Sequence, residues 1–142
     1  MASRFDSVEK RMEFNAPEKL FEFDMHKKEI KYIKYGLDKG LPSLNRFVRN
    51  TPDYIVQSGD PNTPHFVEVK GSKSKFKIKT KDYDQYIKWN QIMPLFFYFY
   101  SYQYNKRKWV TFDKIKEIKA TAETGVYENN NEEYFIVEWS LV

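Results

Sequence analysis

Cysteine is absent from this chain of 142 residues, and its absence removes two kinds of chemistry. No disulfide can form, and no thiolate is available to hold a metal ion. Any metal must therefore be bound through oxygen atoms, with His26 and His65 as the only imidazoles in the sequence. A chain without cysteine is compatible with a reducing compartment, so we expect a protein of the cytoplasm, the host's cytoplasm if the chain is viral.

Long apolar runs are also missing. The longest, residues 92–100, contains Pro94 and is far shorter than the roughly 20 residues that a helix needs to cross a bilayer. Residues 1–6 lack the long apolar region of a signal peptide. We therefore expect no membrane partner.

Several common enzyme motifs do not occur. The sequence contains no Gly-x-Ser-x-Gly and no Gly-x-x-x-x-Gly-Lys, and the surroundings of Asp60 do not match a calcium-binding loop. Serine hydrolases of the nucleophile-elbow type, P-loop enzymes and cysteine-ligated zinc proteins are thereby excluded.

Aromatic residues, by contrast, are abundant. The chain has 11 Tyr, 12 Phe and 3 Trp, and 41% of its residues are hydrophobic, which is enough for one well-packed core. The length predicts a single domain, residues 1–142. We expect residues 1–12 to be a mobile lead and residues 121–142 to form a terminal hairpin.

The most informative pattern is Pro52-Asp53 followed by Glu68-Val69-Lys70, each beside a short apolar segment. Side chains alternate along a strand, so Glu68 and Lys70 project to the same face. Two carboxylates near each other are hard oxygen ligands for a divalent ion, which can activate a water against a phosphodiester. We therefore predict that Asp53 and Glu68 bind the metal with help from the Val69 carbonyl, and that Lys70 assists the water or the phosphate.

Two other acid-x-Lys triplets serve as an internal comparison. Glu29-Ile30-Lys31 and Glu117-Ile118-Lys119 both lie in segments that read as helix, where side chains two residues apart diverge around the axis. The triplet at Glu68 lies in a β-branched apolar run with Pro-Asp upstream. A purely structural interpretation of that triplet is a solvated edge strand.

Pro52, Asp53, Glu68 and Lys70 match the signature of the PD-(D/E)xK nucleases, also called restriction-endonuclease-like, and the chain resembles this superfamily. Residues 67–71, with Gln85 and Trp89 after them, look most like its small resolvase-like and phage or virus-type members. The resemblance implies a mixed central β-sheet flanked by helices, an α/β (α+β) fold. It also implies Mg²⁺, replaceable by Mn²⁺, at the two acids, DNA as substrate, and products with 5′-phosphate ends. Small members often dimerise, so a homodimer is expected.

The local patterns predict elements in a compatible order. We expect a helix from Pro17 to Gly36 or Gly40 with an interruption near Asp24, and strands at residues 45–48, 53–57 and 66–70. Turn residues between the last two strands predict a hairpin that brings the two acids together. A helix at residues 82–92, a buried strand at 95–100, a strand at 109–112 and a helix at 113–120 follow. Residues 125–127 and 134–139 are predicted to form the terminal hairpin.

Positive charge surrounds the proposed site along the sequence. Arg46 and Arg49 precede Pro52, and lysines alternate with other residues beyond Gly71. In an extended conformation these lysines share one face and would follow a DNA backbone. The alternative is an edge strand that uses lysine to prevent aggregation, and the two interpretations are compatible. The lysines are Lys73, Lys75, Lys77, Lys79 and Lys81.

Two further residues are candidates for catalytic support. Glu29 would supply a third acid from the N-terminal helix, as nucleases of this kind often do, with Glu22 as the competing choice and a surface salt bridge as the structural interpretation. Gln85 opens the helix after the Glu-x-Lys strand and would orient a water or contact the DNA backbone; the alternative is a solvent-facing helix residue.

These observations favour a magnesium-dependent endodeoxyribonuclease, with branched or junction DNA as one candidate substrate. The main alternative is a non-catalytic nucleic-acid-binding or assembly protein that keeps the nuclease fold. Cleavage of RNA is a second alternative.

Overall fold

A computed structural model describes residues 4–35, 51–57 and 64–142, with side chains from residue 16 onward. The predicted strand at residues 45–48 lies outside these ranges, as do Arg46 and Arg49. The elements in chain order are α1 (Arg4–Lys27), β1 (Tyr32–Lys34), β2 (Tyr54–Val56), β3 (His65–Ser72), β4 (Lys75–Lys79), α2 (Thr80–Ile92), β5 (Leu95–Ser101), β6 (Lys106–Thr111), α3 (Phe112–Lys119), β7 (Thr124–Val126), β8 (Glu133–Glu138) and a short 3₁₀ turn (Trp139–Leu141).

The described residues build a mixed central sheet with the strand order β1-β2-β3-β5-β6. β3 and β5 run parallel, and the other neighbours in this sheet are antiparallel. The parallel pair is joined by a crossover that contains α2, because parallel neighbours cannot be linked by a tight turn. The predicted fold class, a mixed central sheet flanked by helices, is therefore confirmed.

β5 is buried because it lies inside the sheet with β3 on one side and β6 on the other. Its apolar and aromatic sequence has no polar face, as expected for a strand covered on both sides. α2 ends at Ile92, just before Pro94, which has no N–H to continue a helix.

Buried side chains form one cluster on each face of the central sheet. Alternation along β3 places Phe66 in the larger cluster, with α2 and α3, and Val67 in the smaller one, with α1. On β5, Phe97 and Phe99 likewise belong to the larger cluster and Tyr98 to the smaller. This alternation decides which face of the sheet each polar side chain of β3 can reach.

A second, three-stranded sheet has the order β4-β8-β7 in the described part of the chain. The predicted terminal hairpin is present as β7 and β8, and β8 also pairs with β4. β4 is an edge strand with Phe76 and Ile78 buried and Lys75 and Lys77 exposed. The predicted extended run of five lysines is shorter than expected, because Lys73 precedes the strand and Lys81 already lies in α2.

The N-terminal helix differs from the prediction at both ends. α1 begins at Arg4, within the predicted lead, and not at Pro17. The interruption predicted near Asp24 is wrong, since the helix continues through Pro17 and Asp24 to Lys27. It also ends earlier than expected. Glu29 has a positive φ of 57°, a left-handed conformation that helices do not accommodate, and the chain then enters β1 instead of continuing to Gly36. None of the helices in the described ranges has the length and apolar character of a bilayer-crossing segment.

Candidate active site

The register between β2 and β3 brings Asp53 and Glu68 together. Tyr54 lies opposite Val67 in this antiparallel pair, so continuing by one residue places Asp53 opposite Glu68. A shift of the register by one residue would have turned one carboxylate to the other face. The predicted alignment of the two acids by neighbouring strands is what the structure shows.

Asp53 is fixed by the backbone of β3. Its Oδ2 accepts a hydrogen bond from the Val69 N–H at 2.8 Å. Because the N–H and C=O of one strand residue point to the same side, the Val69 carbonyl is directed toward the same edge as Asp53. Two carboxylates and one carbonyl are thus gathered near the point where β2 begins.

Glu68 is a buried carboxyl, only 8% exposed. Burial, followed by the hydrogen bond and negative charge of Asp53, raises the pKa of Glu68 well above its usual value, against the opposing effects of Lys70 and Tyr86. The Tyr86 hydroxyl on α2 donates a hydrogen bond to Glu68 Oε2 at 2.7 Å. Two neighbouring carboxylates repel each other when both are charged, so a cation bound between them would stabilise the charged pair.

Lys70 lies on the same face of β3 as Glu68, as strand alternation predicted. Both side chains line one cavity of about 560 Å³, together with Asp53. The Lys70 ammonium is 6.0 Å from the centre of the Tyr86 ring. The cavity therefore brings together the two predicted acids, Asp53 and Glu68, and the amine of Lys70. Its lining comprises Pro17, Glu18, Asp53, Glu68, Val69, Lys70, Gly71, Ser72, Lys75, Phe76, Lys77 and Tyr102.

A third acid lines the same cavity, and it is Glu18 of α1. Burial and, after it, the charge of Asp53 raise the pKa of the Glu18 carboxyl. The sequence-based choice of Glu29 is wrong. Glu29 lines a different cavity, of about 730 Å³, because α1 ends before it and the backbone turns away.

Glu22, the competing choice for the third acid, serves another purpose. Its carboxylate accepts hydrogen bonds from Tyr54 at 2.6 Å and Tyr32 at 3.2 Å, and forms an ion pair with Lys34 at 3.2 Å. These contacts tie α1 to β1 and β2. Glu18 precedes Glu22 by one helical turn, so it lies on the same face, nearer the beginning of β2.

Gln85 does not line the cavity, although it lies on α2 as predicted and is half-buried. The contact from this helix to the site comes from the next residue, Tyr86. The Tyr86 ring packs in the core against Phe97, while its hydroxyl reaches Glu68. The only signal in the sequence is that a buried tyrosine hydroxyl usually finds a partner.

The lysines of the predicted ribbon fall into two groups. Lys75 and Lys77 are exposed and line the cavity. Lys79 and Lys81 instead bind Glu132, at 2.8 Å and 2.5 Å. Of these five lysines, the two that line the cavity are therefore those at the beginning of β4.

The donor set suits a hard divalent ion. In the described ranges no group of three acidic or histidine side chains is close enough to form a metal cage. Asp53 and Glu68 nevertheless line the same cavity, close enough for Asp53 to raise the pKa of Glu68, and Asp53 is hydrogen-bonded to the backbone of Val69. Mg²⁺ typically takes one or two protein carboxylates and keeps several waters, so this oxygen set fits it.

The sequence matches no protein-family model and no curated protein. The structure is similar to that of Hjc, a Holliday junction resolvase from the archaeal hyperthermophile Archaeoglobus fulgidus, with a TM-score of 0.55 and 13% identity over 89% of this chain and 84% of that one. It is also similar to D212, a nuclease from a fusselovirus, with a TM-score of 0.51 and 13% identity over 99% of this chain and 87% of that one. The resemblance to resolvase-like and virus-type nucleases is thus confirmed at the level of the fold.

Proposed function

We propose that this chain is a magnesium-dependent endodeoxyribonuclease. The observation that carries the proposal is the meeting of Asp53, Glu68 and Lys70 in one open cavity, at adjacent positions of two paired strands. The residues that match the sequence signature are therefore also close to one another in the folded chain. Mn²⁺ is expected to replace Mg²⁺, because both accept oxygen ligands.

Each residue has a distinct task in phosphodiester hydrolysis. Asp53 and Glu68 would hold the ion through their carboxylate oxygens, with the Val69 carbonyl as a further ligand. Such an ion supplies charge neutralisation at the phosphate and a more acidic water. Lys70 presents its ammonium to the attacking water or to the negative charge that develops on the phosphate. Tyr86 orients the Glu68 carboxyl through its hydroxyl.

Glu18 takes the place that Glu29 was expected to fill. Its carboxyl lines the cavity from α1 and feels the charge of Asp53. A carboxyl at this position can accept a hydrogen bond from a water in the cavity. We assign it a supporting role beside the two acids of the strands.

DNA with branches or junctions is the proposed substrate class. Support comes from the exposed lysines Lys75 and Lys77 at the cavity and from the fold that the chain shares with a Holliday junction resolvase. One cavity acts on one strand at a time, so two copies of the chain are the simplest way to cut two strands. A homodimer is therefore part of the proposal.

A panel of nucleic acids tests this function. Supercoiled plasmid, linear duplex, a four-way junction and single-stranded RNA are incubated with the protein, with and without Mg²⁺. The wild type is expected to cut DNA only with the metal, and Glu68→Ala and Lys70→Ala to reduce the rate at least about 100-fold, the range seen when transition-state stabilisation is removed. Glu117→Ala is the matched control, because Glu117 begins an acid-x-Lys triplet on the exposed surface of α3.

Three results would contradict the proposal. The first is a wild type that binds DNA without cutting it, which would favour an assembly role. The second is cleavage of RNA alone. The third is cleavage by Glu68→Ala and Lys70→Ala at the rate of the control Glu117→Ala.

A further inference from the structure

The turn between β5 and β6, residues 102–105, carries two exposed tyrosines beside the candidate active site. We call it the aromatic turn. Tyr102 is 38% exposed and lines the cavity with Lys70, and Tyr104 is 50% exposed. Most of the aromatic residues of the central sheet are buried, among them Phe97, Tyr98 and Phe99 of the adjoining strand. Tyr102, at the cavity, and Tyr104, two residues further along the same turn, therefore differ from these buried rings.

Backbone contacts hold the aromatic turn next to the site. The Tyr102 N–H donates to the Ser72 carbonyl at 2.8 Å, two residues beyond Lys70. Ser101 is fully buried; its hydroxyl donates to the Lys73 carbonyl and accepts the Tyr104 N–H. The end of β3 and the residue that follows it thus fix the position of the turn relative to Lys70.

The two rings are also held in defined orientations. Tyr102 meets Tyr100 edge to face, with ring centres 5.2 Å apart, and Tyr104 stacks on Trp139 at 6.3 Å. The hydroxyl of Tyr100 donates to Asn105 Oδ1 at 2.5 Å across the turn. Rings that are already oriented lose little conformational entropy when a ligand stacks on them.

The charges around the turn fit a nucleic-acid strand. Lys73 and Lys75 are exposed and follow Ser72, to which the turn is bonded, and Lys75 lines the cavity. A phosphate in the cavity would contact these ammonium groups. The bases of the same strand would then lie within reach of the aromatic turn. Tyrosine faces stack on any base, so they bind without sequence preference.

Base pairing determines which DNA bases can stack on Tyr102 and Tyr104. In a continuous duplex each base is stacked on its neighbours and its faces are covered. At a junction, a flap or a splayed end the faces are free. An aromatic surface therefore favours unpaired bases over paired ones.

We infer that Tyr102 and Tyr104 form a stacking platform for unpaired DNA bases adjacent to the phosphate that occupies the cavity. This inference rests on the function proposed above and specifies its substrate class. It assigns the preference for open or branched DNA to the aromatic turn, whereas Asp53, Glu68 and Lys70 act on the phosphate whatever its neighbours.

Equilibrium binding tests the platform without requiring cleavage. Fluorescence anisotropy is measured in EDTA for a splayed-arm DNA and for a fully paired duplex of the same length. Tyr102→Ala and Tyr104→Ala are each expected to weaken binding of the splayed DNA about tenfold and of the duplex less than twofold. Tyr102→Phe and Tyr104→Phe should retain the affinity, because stacking does not need the hydroxyl.

Two controls make the result specific. Phe23→Ala removes another exposed aromatic ring, from α1, and should leave both affinities unchanged. Abasic positions in the splayed arms should lower the affinity of the wild type to that of the double variant Tyr102→Ala with Tyr104→Ala, and should not weaken that double variant further. Melting temperatures confirm that each variant is folded.

Equal losses on splayed and paired DNA, or unchanged binding in both alanine variants, would overturn the platform. The two proposals fail separately. A wild type that cuts DNA while the alanine variants bind normally refutes the platform alone. A wild type that prefers splayed DNA through these tyrosines but cuts none of the substrates supports the platform and refutes the nuclease.

Discussion

Tyr86 donates a hydrogen bond from its hydroxyl to Glu68 Oε2 across 2.7 Å, and both side chains are buried. The donor lies on α2, within the crossover that connects the two parallel strands. The helix that makes this connection therefore also orients the acid of the candidate metal site. Tyr86 thus contributes its ring to the hydrophobic core and its hydroxyl to the candidate site.

Replacing Tyr86 by phenylalanine should weaken the site while keeping the ring in the core. A partner that orients a ligand typically changes metal affinity or activity by 10- to 100-fold when it is removed, so we expect about a tenfold loss in Mn²⁺ affinity for Tyr86→Phe. Tyr83→Phe, on the same helix and packed on Phe112, is the control and should bind Mn²⁺ like the wild type. Equal affinities in the two variants would show that Tyr86 only packs.

At Gly71, α1 and the turn after β5 both approach the backbone of β3 closely. An added Cβ would collide with the Pro17 ring of α1 and lie 2.8 Å from the Tyr102 hydroxyl oxygen. Gly71→Ala should therefore displace α1 and destabilise the fold by about 1–3 kcal/mol. Gly125→Ala is the comparison, since its Cβ would meet the end of the Tyr134 side chain at 2.5 Å, which can swing away. Urea unfolding of both variants measures the difference; similar midpoints would contradict this explanation.

The elements around Glu68 were predictable because their signals are local. Strand alternation gives the common face of Glu68 and Lys70, and turn residues between β2 and β3 indicate their pairing. The uniformly apolar stretch of β5 predicts a strand covered on both faces. These patterns depend on residues close in the sequence, and the structure agrees with them.

The contribution of α1 was not predictable in the same way. Glu18, Glu22 and Glu29 are all glutamates in the same charged N-terminal segment, so the sequence does not distinguish them. The packing of α1 across β3 is what brings Glu18 to the cavity. The end of the helix depends on the left-handed conformation of Glu29 and on the pairing of β1 with β2, which is a long-range contact. Local sequence propensities predict neither the conformation of Glu29 nor this strand pairing.

The lysines of β4 should differ in their effect on DNA binding. Each phosphate contact that is lost reduces the slope of log K against log salt by about 0.9. Lys75→Gln with Lys77→Gln should therefore lower the slope by nearly 2, because both side chains line the cavity. The matched pair is Lys79→Gln with Lys81→Gln, whose charges are balanced by Glu132, and it should change the slope little. The reverse order would mean that DNA lies along the other end of β4.

Glu132 gives the fold a dependence on pH. Hydrogen bonds from Lys79 and then Lys81 lower the pKa of the Glu132 carboxyl to about 2, against 4.5 without these partners. Because the pKa is lower in the folded state, the carboxylate stabilises the fold above about pH 4.5, and this contribution is lost as the pH falls toward 2. Glu132→Gln should thus have a lower melting temperature than the wild type at pH 6, and the difference should shrink at pH 3. A difference that is independent of pH would contradict the ion-pair explanation.

Binding of Mn²⁺, followed by electron paramagnetic resonance, tests most directly whether Asp53 and Glu68 form one metal site. The wild type is expected to bind the ion, and Asp53→Asn and Glu68→Gln are each expected to lose that binding, because each removes one of the two charged ligands of the proposed site. Glu117→Gln, which alters an exposed acid on α3, should bind as the wild type does. If Asp53→Asn and Glu68→Gln retain the wild-type affinity, the two acids do not hold the metal and the proposed mechanism is wrong.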